Sequence, residues 1–221
     1  MCDVQDLELF IAYVEPTEFE GKKVLEIGSR YVNGSVRPFI IKFLKPKEYV
    51  GIDLEPGKFV DIVMPVEELL GKFGPEAFDV IIAFNVLEHV KDWRIVINNI
   101  KNVLKTNGIL FISVPSIGFP YHEYPGDFWR YQLEDMEAIF SDFEIKVLEK
   151  KQDTYGVFLK ARKPENFKAV DLSNIALYSM CLGKRTKDIV DELTFTRKVK
   201  IKLKDFILNV GRNTLNAIFR T

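Results

Sequence analysis

The chain has 221 residues, 47% of them hydrophobic, which is enough for one sizeable folded domain with an appendage. No apolar run approaches the roughly 18 residues of a membrane-spanning helix, and the acidic start MCDVQDLELF differs from the basic start of a secretory signal. The cysteines, Cys2 and Cys181, lack metal-site spacing and favour a reducing compartment, so the sequence predicts a cytoplasmic protein.

Charge is distributed unevenly along the chain, although the formal net charge is only −1. Residues 164–221 contain 11 basic and 6 acidic residues, a net charge of +5, and residues 1–163 carry a net charge of −6. Such asymmetry can mark a basic appendage that meets an anionic surface. We therefore predict an α/β domain over residues 1–163 and a basic, mainly helical extension over residues 164–221.

Apolar periodicity predicts that helices and strands alternate up to residue 163. Helices are expected at residues 6–14, 36–44, 66–70, 91–104 and 132–140, with Asn107 and Gly108 ending the fourth in a left-handed turn. Strands are expected at residues 24–27, 48–52, 61–63, 78–84 and 109–114, followed by an antiparallel hairpin of residues 144–149 and 155–160. This alternation indicates a three-layer α/β sandwich. Further helices are expected at residues 166–181 and 197–219.

A buried strand, a glycine turn and a helix start are predicted in succession between Val24 and Ser35. Gly28 ends the strand without a Cβ, which lets a ligand approach the backbone, and Ser35 suits the N-cap of the following helix. Arg30 occupies the position of the second glycine in the dinucleotide motif G-x-G-x-x-G, which disfavours a nicotinamide-dependent dehydrogenase. The preceding acid, Glu26, suits a cationic ligand better than a pyrophosphate.

Four motifs in order carry a family resemblance: VLEIGS, YVGIDLE, FDVIIAFNVLEHV and LKTNGILFISVP. Together they resemble the class I S-adenosylmethionine-dependent methyltransferases over about residues 20–160. The resemblance implies a Rossmann-like, seven-stranded sheet that is mostly parallel and ends in an antiparallel hairpin. It also implies S-adenosyl-L-methionine as the cofactor.

The resemblance further implies which residues contact the cofactor, all of them in or after strands. They are Glu26 and Gly28 for the methionine part, the neighbouring Ser29, Asp53 for the ribose hydroxyls, Leu54 and Met64 for the adenine, and Asn85 for the amino-acid end. Structural alternatives remain open at three of these positions. Glu26 can cap a helix or form a salt bridge, Asp53 can be a turn residue before Pro56, and Asn85 can be a strand-end turn.

The loop GFPYHEYPGDFWRY, residues 118–131, follows the fifth strand on the side where open α/β sheets bind ligands. It is the candidate acceptor site, with His122 as general base, Asp127 to orient it and Arg130 to bind an anionic acceptor. The alternative is a buried Asp127–Arg130 pair that locks the loop, with Trp129 as a core anchor. For His89 we prefer a structural role to that of a base.

No metal site is predicted, because the two histidines are isolated in sequence and no Cys/His/Asp cluster has ligand spacing. The expected activity is methyl transfer to an oxygen, less favourably a nitrogen, of a small-molecule or glycan/lipid-linked acceptor. The alternative is a catalytically silent protein that binds RNA or a protein partner through its basic tail.

Residues 197–220 combine an apolar stripe with four lysines between positions 198 and 204. A helix of this kind is most often packed on a core. It also suits peripheral contact with an anionic membrane or a homodimer, whereas nucleic acid is disfavoured because aromatic and basic residues rarely alternate there.

Overall fold

The apolar runs of the amino-terminal part form one central sheet in the computed structural model, which describes residues 2–122, 126–152, 154–190 and 192–202. The strands are β1 (Lys23–Ile27), β2 (Glu48–Asp53), β3 (Ile62–Val63), β4 (Phe78–Phe84), β5 (Leu104–Pro115), β6 (Trp129–Arg130), β7 (Glu144–Lys150), β8 (Gly156–Arg162), β9 (Leu177–Ser179) and β10 (Lys184–Thr186). Seven of them make the central sheet in the order β3-β2-β1-β4-β5-β8-β7. The remaining three make a small sheet in the order β10-β9-β6.

The pairing pattern confirms the predicted seven-stranded, mostly parallel sheet. Strand β1 pairs in parallel with β2 on one side and β4 on the other, with Ile27 opposite both Ile52 and Ala83. Strands β7 and β8 form the antiparallel hairpin at the far edge, where β8 also runs antiparallel to β5. Because β1, β2 and β4 end at the same level, the residues that follow them meet at one edge of the sheet.

Helices cover both faces of the central sheet. They are α1 (Val4–Tyr13), α2 (Arg37–Phe39, continued by a π-helical turn at Ile40–Leu44), α3 (Leu69–Phe73), α4 (Trp93–Val103) and α5 (Leu133–Ile139), with 3₁₀ turns at Pro16–Glu18, Val66–Glu68 and Leu87–His89. All five lie where the sequence predicts a helix. The N-cap of α2 is Val36, the residue after the predicted Ser35, and the backbone N–H of Arg37 donates to Ser35 Oγ at 3.1 Å.

Two apolar cores lie on opposite faces of the sheet. On one face, Phe10 of α1 is fully buried with its ring centroid 5.0 Å from that of Phe111 in β5. On the other face, the inward stripe of α4, which includes Trp93 and Ile97, packs against the sheet without solvent exposure. These cores fix the strand ends that carry the candidate site.

Two local predictions are wrong. Helix α4 ends at Val103 because Leu104 already has extended dihedral angles, so Asn107 does not cap it. Asn107 is left-handed, at φ +63°, in the irregular part of β5, where its N–H donates to Lys163 O at 2.9 Å. Residues 166–181 do not form one helix, because Asp171 turns the chain by accepting bonds from the N–H and hydroxyl of Ser173, each at 2.9 Å.

The segment after residue 163 packs against the domain in its described part. Leu172 and Leu177 are buried in the same core cluster as α4, and strand β9 pairs with β6. The division at residue 163 stays a prediction. Residues 195–202 are helical, whereas most of the predicted helix at 197–219 lies outside the described residues. Across the described ranges, no helix is both long and apolar enough to cross a bilayer.

Candidate active site

A cavity of about 480 Å³ opens where β1, β2 and β4 end. Its size falls within the range of small-molecule sites, and its position is the ligand side of an open α/β sheet. Five of the seven residues predicted to bind the cofactor contribute to its lining, and His89 joins them. The five are Gly28, Asp53, Leu54, Met64 and Asn85.

Gly28 has a left-handed backbone, at φ +73°, which favours glycine at this turn. A Cβ built on Gly28 would lie 2.4 Å from Val86 Cγ2. Val86 therefore occupies the position that a Cβ on Gly28 would take. The backbone of Gly28 still lines the cavity, and the close approach of a ligand to it stays a prediction. Gly28 is required by the turn and by the packing of Val86, which itself lines the cavity.

Asp53 is oriented by its own turn. Its Oδ2 accepts from the backbone N–H of Arg30 at 3.1 Å, and its Oδ1 accepts from the N–H of Glu55 at 3.2 Å. A carboxylate has more acceptor sites than these two bonds use, so Asp53 can still accept hydrogen bonds from vicinal hydroxyls. Asp53 therefore also acts as a turn residue, which is the structural alternative given for it above.

Apolar side chains complete the part of the cavity near Asp53. Leu54 is 55% exposed and Met64 is largely buried, and both line the cavity. Arg30 and Glu55 also line the cavity and form an ion pair with each other. A carboxylate beside apolar side chains fits the ribose and adenine of S-adenosyl-L-methionine.

Asn85 connects the cavity to the amino-terminal helix. It follows β4 with φ +50°, and its side-chain amide donates to Asp6 Oδ2 at 2.7 Å. Asp6 is fully buried and also accepts from Lys151 Nζ at 2.7 Å. The left-handed conformation matches the strand-end turn alternative, and Asn85 also lines the cavity.

Glu26 and Ser29 are not among the residues that line the cavity, so their predicted contacts with the cofactor stay predictions. Glu26 is directed toward Tyr49, whose hydroxyl donates to its Oε2 at 2.8 Å. Burial raises the pKa of Glu26 to about 7, because the hydrogen bond from Tyr49 offsets only part of the desolvation. Ser29 is buried, and its Oγ has no hydrogen-bond partner within the described ranges.

The two histidines meet in space, so the expectation that they are isolated is wrong. His89, in the 3₁₀ turn after β4, and His122, in the loop after β5, place their Nε2 atoms 3.3 Å apart. Their rings are perpendicular, with centroids 4.8 Å apart. Strands β4 and β5 are parallel neighbours, and this brings the two segments together.

Asp127 contacts His122, with 3.2 Å between Oδ2 and Nδ1, and its role in orienting a general base stays a prediction. Burial alone would raise the pKa of Asp127, but hydrogen bonds from Arg130 and His122 outweigh it and hold that pKa below its usual range. For His122 the effects have the opposite sign. Burial alone would lower the pKa of the imidazole, but the hydrogen bond to Asp127 outweighs burial, so this pKa is raised. The pair of side chains is electrostatically coupled.

Arg130 does not face an acceptor. It is fully buried, pairs with Asp127 through both terminal nitrogens, and donates from Nη2 to Pro120 O at 2.9 Å. This is the alternative in which the pair locks the loop. Trp129 is the expected core anchor, since it is buried and its Nε1 donates to Val90 O at 3.0 Å.

A family model described as "Methyltransferase domain" matches residues 4–152, which include the cavity and the histidine pair. The chain belongs to this methyltransferase family. Its cofactor is S-adenosyl-L-methionine, for which the cavity residues provide a fitting site. A search of curated proteins found no match.

Solved structures of methyltransferases share the fold at low identity. The Burkholderia thailandensis 1,6-didemethyltoxoflavin-N1-methyltransferase, solved with 1,6-didemethyltoxoflavin and S-adenosylhomocysteine, is 15% identical, with a TM-score of 0.55 over 73% of this chain and 78% of that one. A methyltransferase from Aquifex aeolicus is 17% identical, with a TM-score of 0.52 over 71% and 89%. The cyclase SpnF is also 17% identical, with a TM-score of 0.53 over 72% and 79%. Because SpnF is a [4+2]-cyclase, the fold alone does not define the reaction.

Proposed function

We propose that the protein transfers a methyl group from S-adenosyl-L-methionine to an oxygen, less favourably a nitrogen, of a small-molecule or glycan/lipid-linked acceptor. The observation that carries this proposal is the imidazole pair beside the cavity. His89 lines the cavity, and His122 contacts His89 from the loop predicted to hold the acceptor.

The cofactor supplies a methyl group already activated by its sulfonium charge. The protein therefore has to align the acceptor with that methyl group and exclude water. A hydroxyl acceptor must also lose its proton, and an imidazole is the side chain best suited to promote this near neutral pH. Asp127 fixes Nδ1 of His122, so the chemistry at this residue belongs to Nε2.

The locked state of Arg130 narrows the acceptor class. Its guanidinium is enclosed by Asp127 and by the carbonyl groups of Phe119 and Pro120. Arg130, which the sequence predicted to bind an anionic acceptor, is therefore already paired with Asp127. Phe119 lies beside His122, with ring centroids 5.6 Å apart, and aromatic faces suit a neutral, hydroxylated acceptor such as a saccharide.

Transfer of a labelled methyl group tests the proposal. Purified protein is incubated with cofactor carrying a labelled methyl group and with cell extract separated into small-molecule, lipid, protein and RNA fractions. We expect label in the small-molecule or lipid fraction, held in a methyl ether, and little label with Asp53→Ala. Label confined to protein or RNA, or tight cofactor binding without transfer to any fraction, would refute it and favour the silent alternative.

A further inference from the structure

Three potential metal ligands converge beside the cofactor cavity. One ligand atom from each of Glu88, His89 and His122 lies within 4.8 Å of the other two. The two Nε2 atoms are 3.3 Å apart, and Glu88 Oε1 lies 3.7 Å from His89 Nε2. Two imidazole nitrogens bound at about 2.0–2.1 Å to one tetrahedral ion are themselves about 3.3–3.4 Å apart. The histidines thus already have the spacing of two ligands of one ion.

A hydrogen bond on the far side of each ring places a proton on Nδ1, so that Nε2 is the atom of each histidine available to a metal ion. His89 Nδ1 contacts the carbonyl oxygen of Gly126, which can only accept, so this nitrogen carries the hydrogen. His122 Nδ1 faces the carboxylate of Asp127, which is ion-paired with Arg130 and accepts in the same way. In the neutral form of each ring, this tautomer leaves the Nε2 lone pair free, and the two Nε2 atoms are close enough to bind one cation. Such outer hydrogen bonds are typical of metal-binding histidines.

Glu88 provides independent support. Its side chain is 2% exposed, and Oε2 has no hydrogen-bond partner among the residues that the structure describes. Leaving a buried carboxylate oxygen without a partner is costly, so such an atom points to a missing ligand. A cation between Glu88 and the two histidines would compensate its charge.

We propose that Glu88, His89 and His122 bind a divalent transition metal ion at the edge of the cofactor cavity. Two imidazole nitrogens and one carboxylate oxygen suit Zn²⁺, Mn²⁺, Fe²⁺ or Co²⁺ better than Mg²⁺ or Ca²⁺. Three protein ligands leave coordination positions open. Insofar as the proposed methyl transfer holds, an acceptor hydroxyl bound there would lose its proton more easily, since a bound metal lowers the pKa of such a group.

Metal titration of the protein without cofactor or acceptor tests the site. The chain contains only two histidines, so any affinity tag must be removed before the chelator-treated protein is titrated with Zn²⁺ and with Co²⁺. We expect one equivalent to bind, with the visible absorption of Co²⁺ coordinated by nitrogen and oxygen. Glu88→Gln and His122→Gln should each weaken binding by roughly tenfold or more. Glu137→Gln, which alters an exposed acid of α5, should bind as the wild type does.

Thermal melting separates a lost ligand from a lost fold. Zn²⁺ should raise the melting temperature of the wild type and of Glu137→Gln, and should raise it less in the two ligand variants. Stoichiometric binding that is unchanged in both ligand variants, or the absence of binding to the wild type, would overturn the metal site. Because these readouts involve no methyl transfer, a protein that binds metal but methylates nothing would refute only the proposed function.

Discussion

The side-chain amide of Asn85 donates a 2.7 Å hydrogen bond to Asp6, which joins the end of β4 to α1. Asp6 also accepts hydrogen bonds from Lys151 Nζ and from the backbone N–H of Asp3. A helix near the start of the chain is thereby tied to the residue that borders the cofactor cavity. The stability of α1 and the affinity for the cofactor should accordingly be linked.

Asp6→Ala tests this link. The change removes the acceptor of Asn85 and one of the two carboxylates that bind Lys151. We expect a loss of about 1–3 kcal/mol in the free energy of unfolding, together with weaker cofactor binding. Urea unfolding and calorimetry measure the two effects. Glu8→Ala, on the exposed side of the same helix, is the matched control, and a stability loss with unchanged affinity would show that α1 is only structural.

Asp53→Ala should weaken binding of S-adenosyl-L-methionine by roughly tenfold to a hundredfold, because hydrogen bonds to a charged acceptor contribute about 1.5–3 kcal/mol each. Calorimetry measures the dissociation constant, and Asp171→Ala, at an exposed turn, is the control. Gly28→Val is a poor test, because the new side chain would meet Val86 before it met a ligand. An unchanged affinity in Asp53→Ala would reject the assigned ribose contact.

Glu26 should make stability depend on pH. Its pKa is raised to about 7 in the folded state, so the folded protein retains a proton that the unfolded chain releases near its ordinary value of 4.5. The favourable contribution is complete below pH 4.5 and is lost as the pH rises toward 7, by roughly 3 kcal/mol at most. Glu26→Gln should remove this slope.

Urea unfolding at pH 5 and pH 8 measures the effect of Glu26→Gln. We expect the difference in unfolding free energy, variant minus wild type, to be more positive at pH 8 than at pH 5. Glu20→Gln, at an exposed position, should leave the wild-type dependence unchanged. Parallel pH curves for the wild type and Glu26→Gln would show that the buried carboxyl has an ordinary pKa.

The Asp127–Arg130 pair should behave as one unit. Arg130→Met leaves the buried carboxylate of Asp127 without its cation and should cost about 3–5 kcal/mol of stability. The double variant Asp127→Asn with Arg130→Met should lose much less than the sum of the two single changes. Denaturant unfolding of the four proteins gives the coupling free energy, and additive losses would contradict a locking role.

The basic stretch of residues 197–220 should direct the protein to anionic membranes. We expect the full chain to float with anionic liposomes and not with neutral ones, and a chain ending at residue 192 to float with neither. That shorter chain retains β9 and β10. Equal flotation of both chains would exclude the membrane role, and light scattering on the same samples would test the tail as a dimer contact.

The sequence was most informative where function depends on the end of a single strand. Gly28, Asp53 and Asn85 follow buried apolar runs, so their convergence could be predicted from the alternation of strands and helices. The meeting of His89 and His122 could not be predicted from spacing, because it depends on β4 and β5 being neighbours. Strands β9 and β10 were missed because three-residue strands have no measurable periodicity and form through tertiary pairing.

The small sheet has a consequence for engineering acceptor specificity. Strand β6 belongs to the predicted acceptor loop, but it pairs with β9, where Trp129 lies opposite Ser179 and the backbone N–H of Met180 donates to Phe128 O at 2.7 Å. Two stretches about 50 residues apart in the chain are therefore joined in one small sheet beside the predicted acceptor loop. Grafting residues 116–131 into another family member would transfer one strand without its partners. A chimera would have to exchange residues 177–186 together with the loop to carry the acceptor preference across.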